Sequence, residues 1–477
     1  MSQDNLKKDT VKGVIWSAVE RFSVQGVQFL VMLVIARILS PKDYGLVGML
    51  AIFLAIAQSL IDSGFSQALI RKKDRTEADN STVFYFNFII SLVMYVALFF
   101  SAPLIADFYN EPQLTDLTRV IGIVVIVNGL AVVQRAIYTI EINFKVQARA
   151  SLAGAVVSGA IGILLAIKGA GVWTLVWQQL LNAAITTVLL WVFSSWHPHL
   201  LYSWKSFREM FTFGSKLMLS GLLNTIYTNL YQLVIGKVFT ASSLGYYSRA
   251  NQFAQFPSSN LTGILQRVVY PILCKVQDDH ERYVRASKKF LCLSCYIIFP
   301  LMCLLAGISK PLIIILLGEK WSFAGTLMIP ICISMMWYPA HALNLNAITV
   351  IGRSDLFLRL EIIKKIIGVT VLAVSVPFGL LVLCYSSIPG TLLGLYVNSY
   401  YTGKEVGYDL LKQLKDLTPT LLLSLSIMLI CFGINYLVPN VWLATALDII
   451  IGCVVFVTVS YIFKFKEISY IKELITK

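Results

Sequence analysis

Apolar stretches of roughly twenty residues recur from one end of this chain to the other, and no other feature limits its fold as strongly. A helix needs ~20 mostly apolar residues to cross the hydrocarbon core of a bilayer, and in lipid only a helix or a closed barrel satisfies every backbone polar group. About fourteen such stretches can be read. They cover residues 14–38, 44–69, 83–106, 118–139, 151–168, 172–194, 213–238, 245–271, 290–308, 325–349, 361–378, 380–401, 418–437 and 441–463. Only Pro377, Phe378 and Gly379 separate the eleventh from the twelfth. Charged residues make up 13% of the 477, about half the share of a soluble protein. That density cannot cover a water-facing surface of this size, so the expected fold class is an all-α integral membrane protein.

The net charge of +14 would point to nucleic acid in a soluble chain. Here the basic residues sit in short connections between apolar stretches, where they set orientation and favour anionic lipid headgroups, so no nucleic-acid partner is expected. One set of connections is 1–13, 70–82, 140–150, 195–212, 272–289, 350–365, 402–417 and 464–477. It carries about 28 Lys and Arg, against about 6 in the opposite set. The first set is therefore expected on the cytoplasmic side, with both termini inside, in a bacterial inner membrane. The apolar stretch after Lys7, Lys8 and Lys12 is too long, and too polar in its middle, for a cleaved signal peptide. The tail after Lys464 spaces Ile468, Ile471 and Ile475 at helical intervals, as a surface-lying helix or a frayed end would. Cys292 and Cys295 form a C-x-x-C that reads as two small apolar side chains on a membrane helix.

The chain also repeats itself. Arg37–Gly45 aligns with Lys237–Gly245, an offset of 200 positions. Pro103–Ile105 aligns with Pro311–Ile313, Glu111 with Glu319, and Gly171 with Gly379, each at an offset of 208. These matches predict two six-helix bundles of like topology, 1–194 and 213–401, joined by a cytoplasmic linker at 195–212. Two further helices and a tail follow at 402–477. An even number of spans per repeat makes the halves parallel, and transporters built this way hold substrate between them. No phosphate-binding G-x-x-x-x-G-K-[ST], no G-x-S-x-G and no H-E-x-x-H occurs. The opposite-side connections are too short for an extracytoplasmic active site. Transport, rather than an enzyme, is what these features leave.

The stretch Ala36–Gly48 (ARILSPKDYGLVG), followed by Asp62–Arg71 (DSGFSQALIR), resembles the polysaccharide transporter family of the multidrug/oligosaccharidyl-lipid/polysaccharide superfamily. Gly169–Val176, Gly245–Ala250, and Arg267–Leu273 followed by Gln277–Asp279 resemble it too. The branch is that of colanic acid, teichuronic acid and similar exopolysaccharide exporters. The resemblance implies about 14 transmembrane helices, with the two bundles in a V like that of multidrug exporters and two helices appended. It implies a flippase that moves undecaprenyl-pyrophosphate-linked oligosaccharides by alternating access, for lipopolysaccharide, capsule or exopolysaccharide biosynthesis. Polymerase and glycosyltransferases of the same pathway would be partners. The alternatives are a multidrug or cation exporter of the same superfamily, or a membrane enzyme of polysaccharide assembly.

Within this frame particular residues stand out. Ser40, Pro41 and Asp43 form the start signal of a helix, repeated by Thr240 and Ser243, and Gly45 and Gly245 allow close helix contact. Glu20, Arg21 and Asp62 lie roughly 10–12 Å inside their spans. A lone charge at that depth costs ~2.5 kcal/mol or more, so Arg21 is expected to pair with Asp62 or Glu20. The pair either locks two helices, or Arg21 meets pyrophosphate while Glu20 or Asp62 takes up a coupling proton or Na+. No other cofactor and no metal is expected. Ser220, Asn224, Tyr227 and Tyr231 share one helical face, comparable to Gln28 with Arg21 on the first span. They suit a sugar, or polar packing between helices. Arg249, Gln252 and Asn260 make the eighth stretch too polar to face lipid, and Pro257 predicts a kink or hinge there. Arg135 is a further cavity candidate. Trp337, Tyr338 and His341 are weaker ones, with His341 read as structural.

Overall fold

The computed structural model describes residues 3–62, 64–468 and 470, with side chains at Trp16 and from Phe22 onward except Asp62. All regular structure among these residues is helical. The chain divides into two compact units, Met1–Gly245 and Tyr246–Lys477. The division falls inside one helix, so the stretch at 213–238 groups with the first unit, although the repeat opens its second half there.

The first unit holds α1 (Gln3–Ile38), α2 (Pro41–Asp62), α3 (Phe65–Arg71), α4 (Glu77–Tyr109), α5 (Leu114–Ile121) and α6 (Ile123–Ile140). It continues with α7 (Phe144–Ile167), α8 (Trp173–Phe193), α9 (Trp204–Val238) and the first turn of α10 (Ala241–Lys275). Small residues set the spacing. A side chain at Gly159 would strike Val31, and one at Gly162 would meet Ile35, so α1 and α7 lie close along their length. Thr76 and Asp79 close a capping box at the start of α4. Lys72 donates to Asp79 at 2.9 Å and to Glu209 at 3.2 Å. The Asp79 hydrogen bond holds the Lys72 ammonium above its ordinary pKa.

The repeated start signals form as expected. Ser40 N donates to Asp43 Oδ2 at 2.8 Å and Asp43 N returns to Ser40 Oγ at 3.3 Å. Ser243 N donates to Thr240 Oγ1 at 3.1 Å. The glycines that follow meet in a reciprocal crossing of α2 and α10. A methyl group at Gly45 would overlap the Ala241 carbonyl, and one at Gly245 would overlap the Pro41 carbonyl. Positions 41 and 241, and 45 and 245, are the pairs matched by the offset of 200.

The second unit contains the rest of α10, then α11 (His280–Gly307), α12 (Ser309–Leu317), α13 (Ser322–Met335), α14 (Tyr338–Val350) and α15 (Ser354–Ser375). It ends with α16 (Leu380–Val406), α17 (Leu410–Leu437) and α18 (Val441–Ile462). Asp279, Asp409 and Asn440 cap α11, α17 and α18. Asn344 on α14 and Gln413 on α17 exchange two amide hydrogen bonds, at 2.9 and 2.8 Å, in a buried layer. The break expected at 377–379 is present: Gly379 takes a φ of +97°, and its aligned partner Gly171 one of +54°.

Fewer helices than the expected fourteen reach a spanning length with unbroken apolar character. Ten helical segments among the described residues are long and apolar enough to cross a membrane, and the apolar part of α1, Phe22–Ile38, is shorter. Helices α9, α10 and α15 coincide with expected stretches but fall short in apolar character. Their polar positions, described next, are the reason. The chain is a multi-pass membrane protein on the ten. Ile471 and Ile475 of the tail lie outside the described residues, while all eight cysteines, Cys292 and Cys295 included, are free thiols.

Candidate functional site

Helix α9 is anchored at its ends by close glycine contacts and has no fully buried residue between them. At the start, Gly64 and Gly214 come so close that a side chain on either would overlap the other's backbone. At the finish, Gly236 packs on Met49, Tyr109 and Leu244. No residue from 215 to 234 is buried. Ser220 and Asn224 are exposed, and Tyr227 and Tyr231, one and two turns on, are half-buried. Between them Thr228 Oγ1 donates to the Asn224 carbonyl at 3.0 Å, and Asn229 Nδ2 to the Thr225 carbonyl at 2.8 Å. These bonds satisfy the hydroxyl and amide within the helix and leave their remaining capacity for water or a ligand. A helix with this many exposed polar groups cannot be bathed in lipid on all sides.

In the second unit α10 is two-faced. Ala250, Phe253, Ala254, Ser258 and Thr262 are buried, and Ser258 Oγ donates to the Met335 carbonyl of α13 at 2.7 Å. Gln252, Gln255 and Ser259 are exposed, Arg249 and Asn260 are half-buried, and a side chain added at Gly263 would meet nothing within 4 Å. The helix runs unbroken through Pro257 and Pro271. Pro257 lacks an N–H, so the helix bond to the Phe253 carbonyl is missing at that turn.

The other expected residues are distributed differently. Gln28 is exposed on α1, and Arg135 is exposed near the end of α6. Glu20, Arg21 and Asp62 fall on α1 and α2, but their side chains lie outside the described residues, and so does the expected ion pair. Trp337 is buried edge-on to Phe299, with ring centroids 4.9 Å apart, so it is core. His341 is half-buried, and its Nδ1 accepts from Asn398 Nδ2 at 3.0 Å.

Two intramembrane polar groups were missed. Glu361 and Lys364 pair one turn apart on α15. Both lie where the expected stretch 361–378 overlaps the connection 350–365, and α15, which begins at Ser354, carries them inside a helix. Asp448 is fully buried in α18, where its Oδ2 accepts from Asn435 Nδ2 at 2.8 Å. A carboxylate in the middle of an apolar stretch was a visible signal.

A family model described as "Polysaccharide biosynthesis protein" matches residues 34–325, more than half of the chain. The lipopolysaccharide biosynthesis protein WzxC of Escherichia coli K12 is 28% identical over 326 residues, covering 67% of this chain and 65% of WzxC. The chain thus spans just under two thirds of that relative. The teichuronic acid biosynthesis protein TuaB of Bacillus subtilis is 24% identical over 359 residues, covering 74% of this chain and 73% of TuaB. Among solved structures, the lipid II flippase MurJ in an inward closed conformation superposes with a TM-score of 0.75 at 16% identity, over 94% of this chain and 98% of MurJ. At that identity the likeness shows the fold.

Proposed function

Because this chain belongs to the polysaccharide biosynthesis protein family, we propose that it is a flippase for undecaprenyl-pyrophosphate-linked oligosaccharides, working by alternating access in a bacterial inner membrane with both termini cytoplasmic. The lipid tail stays in the bilayer while the sugar headgroup passes along the polar faces of α9 and α10. The repeat halves 1–194 and 213–401 are the moving bundles, 195–212 the linker, and 402–477 the appended helices. About fourteen crossings then result, with the polar helices α9 and α10 among them. Glycosyltransferases and a polymerase of the same pathway supply and consume the glycan, and a proton or Na+ gradient drives the cycle.

The polar, never fully buried middle of α9 carries this reading. Ser220 and Asn224 offer hydrogen bonds to sugar hydroxyls, and Tyr227 and Tyr231 offer flat apolar faces to sugar rings. Arg249 and Arg21 replace hydration lost by the pyrophosphate with charge-assisted hydrogen bonds. Arg135, Gln28, Gln252 and Asn260 complete the polar path, Glu20 and Asp62 serve coupling, and Pro257 serves bending. In this reading nothing in the substrate is made or broken, so the protein is not an enzyme.

The test uses proteoliposomes loaded with a lipid-linked oligosaccharide and probed by an impermeant lectin. The parent chain should bring internal glycan to the outer leaflet. Asn224→Leu with Tyr231→Leu should lower that rate at least about tenfold, the loss of one or two hydrogen bonds and a ring contact. A parent that moves cationic dyes but no glycan would sink the proposal.

A further inference from the structure

The feet of α11, α17 and α18 enclose a cavity of about 730 Å³ that the transport path does not use. Its upper walls are apolar, with Leu422, Leu423 and Val459, and its rim carries Lys288, Lys415, Lys464 and Lys466. Two acids accompany them, and one is already spent. Asp416 accepts from Lys288 Nζ at 2.7 Å through Oδ1 and from the Tyr408 hydroxyl at 2.9 Å through Oδ2. Among the described residues that line the cavity, Glu467 is then the one acid left to Lys415, Lys464 and Lys466.

The rim is built by a strained turn. Lys464 leaves α18 with a φ of +48°, a conformation that side chains other than Gly, Asn and Asp rarely take. Phe465 N donates to the Ser460 carbonyl at 3.1 Å, and the Phe465 ring then folds back beside Tyr296 at 5.7 Å. This half-buried ring, packed on the cluster around Ile427 and Cys431, fixes Lys464 and Lys466 on either side of it at the cavity mouth. The strain is tolerated because the anchoring ring over-determines the turn.

A cavity between spanning helices with apolar walls and a lysine rim, placed where the helices end, has the charge and the depth of a headgroup site. We propose that it binds an anionic glycerophospholipid, with the phosphate on Lys415, Lys464 and Lys466 and the first segments of the acyl chains against Leu422 and Val459. The site belongs to the appended helices and is independent of the transported glycan.

The test measures binding of phosphatidylglycerol and cardiolipin to the purified full chain by native mass spectrometry, with phosphatidylcholine, inorganic phosphate and undecaprenyl phosphate as competitors. Lys464→Ala with Lys466→Ala should weaken anionic phospholipid binding roughly tenfold or more. Lys464→Arg with Lys466→Arg should retain it. Removing two exposed lysines elsewhere, Lys73→Ala with Lys168→Ala, should leave it unchanged. Lys415→Gln, on an exposed position of α17, carries the test if the tail variant does not fold. Equal binding of phosphatidylcholine, full competition by inorganic phosphate, preference for undecaprenyl phosphate alone, or undiminished binding by the folded lysine variants would each overturn the proposal.

Discussion

A methyl group at Gly45 or Gly245 has nowhere to go, because the atoms it meets are the backbone carbonyls of Ala241 and Pro41, which cannot rotate aside. Gly45→Ala and Gly245→Ala should therefore each cost about 1–3 kcal/mol, the usual penalty for overpacking. Heating the variants in detergent and following the monodisperse fraction would show it, and an unchanged midpoint would mean that the two helix starts separate readily. A second prediction concerns Asp448. Asn435→Leu removes the donor of its buried carboxylate and should cost ~1–3 kcal/mol or more, whereas Asp448→Asn, which keeps a partner for Asn435, should cost less. The two cases also show what a sequence reveals at this scale. The caps at Ser40 and Thr240 were legible because capping is a bond across three residues of one segment. The partner of Asp448 sits on the neighbouring helix, and nothing local announces it. Glu361 and Lys364 lie at the edge of the stretch 361–378, where a charged pair reads equally well as part of the preceding connection.

Among the elements, α15 shows how a helix start is tied to a distant helix end. Arg353 holds Asp355 with two parallel bonds, Nε to Oδ1 at 3.0 Å and Nη2 to Oδ2 at 2.9 Å, and reaches Glu405 at the end of α16 at 3.2 Å. The Arg353 hydrogen bond lowers the Asp355 carboxyl from its ordinary 3.8 to about 2. A carboxyl depressed in the folded state stabilises above its unfolded value, and the contribution fades as pH falls through the folded one. The join between α15 and α16 should thus hold at neutral pH and loosen between about pH 4 and 2. Hydrogen exchange at residues 352–356 would report it, and Arg353→Lys, which cannot form the two-pronged bond, should loosen the join at all pH values. Uniform exchange across the range would remove the pair from any role. At this scale the apolar period showed where helices lie but not which ones the membrane accepts. Helices α9, α10 and α15 match the expected stretches, yet exposed amides and charges interrupt their apolar character. The polar stripe on α9 was visible at helical spacing; its isolation from buried contacts required the glycine anchors at 64, 214 and 236, far apart in sequence.

For the whole molecule, the strongest claim is one of sidedness, and it rests on charge. The basic connections, among them the segments around Lys72, Lys145, Arg282 and Lys412, alternate with connections that carry few cations, such as Asn110–Gln113 and Val438–Asn440. Translocating a short loop with several Lys or Arg is costly against the membrane potential, while acidic loops cross readily. Single cysteines at positions 74, 280 and 412, in a background with the eight native cysteines replaced, should react with an impermeant maleimide only after the cells are opened. Cysteines at 111 and 439 should react in intact cells. One helix lies between 74 and 111, and one between 412 and 439, so each of these pairs should label from opposite sides whatever the span total, whereas 280 and 412 share a side only if α15 also crosses. Labelling of 74 and 111 from the same side would place an even number of crossings where α4 must supply one. It would break the alternation on which the proposed orientation depends, and with it the inward position of both termini.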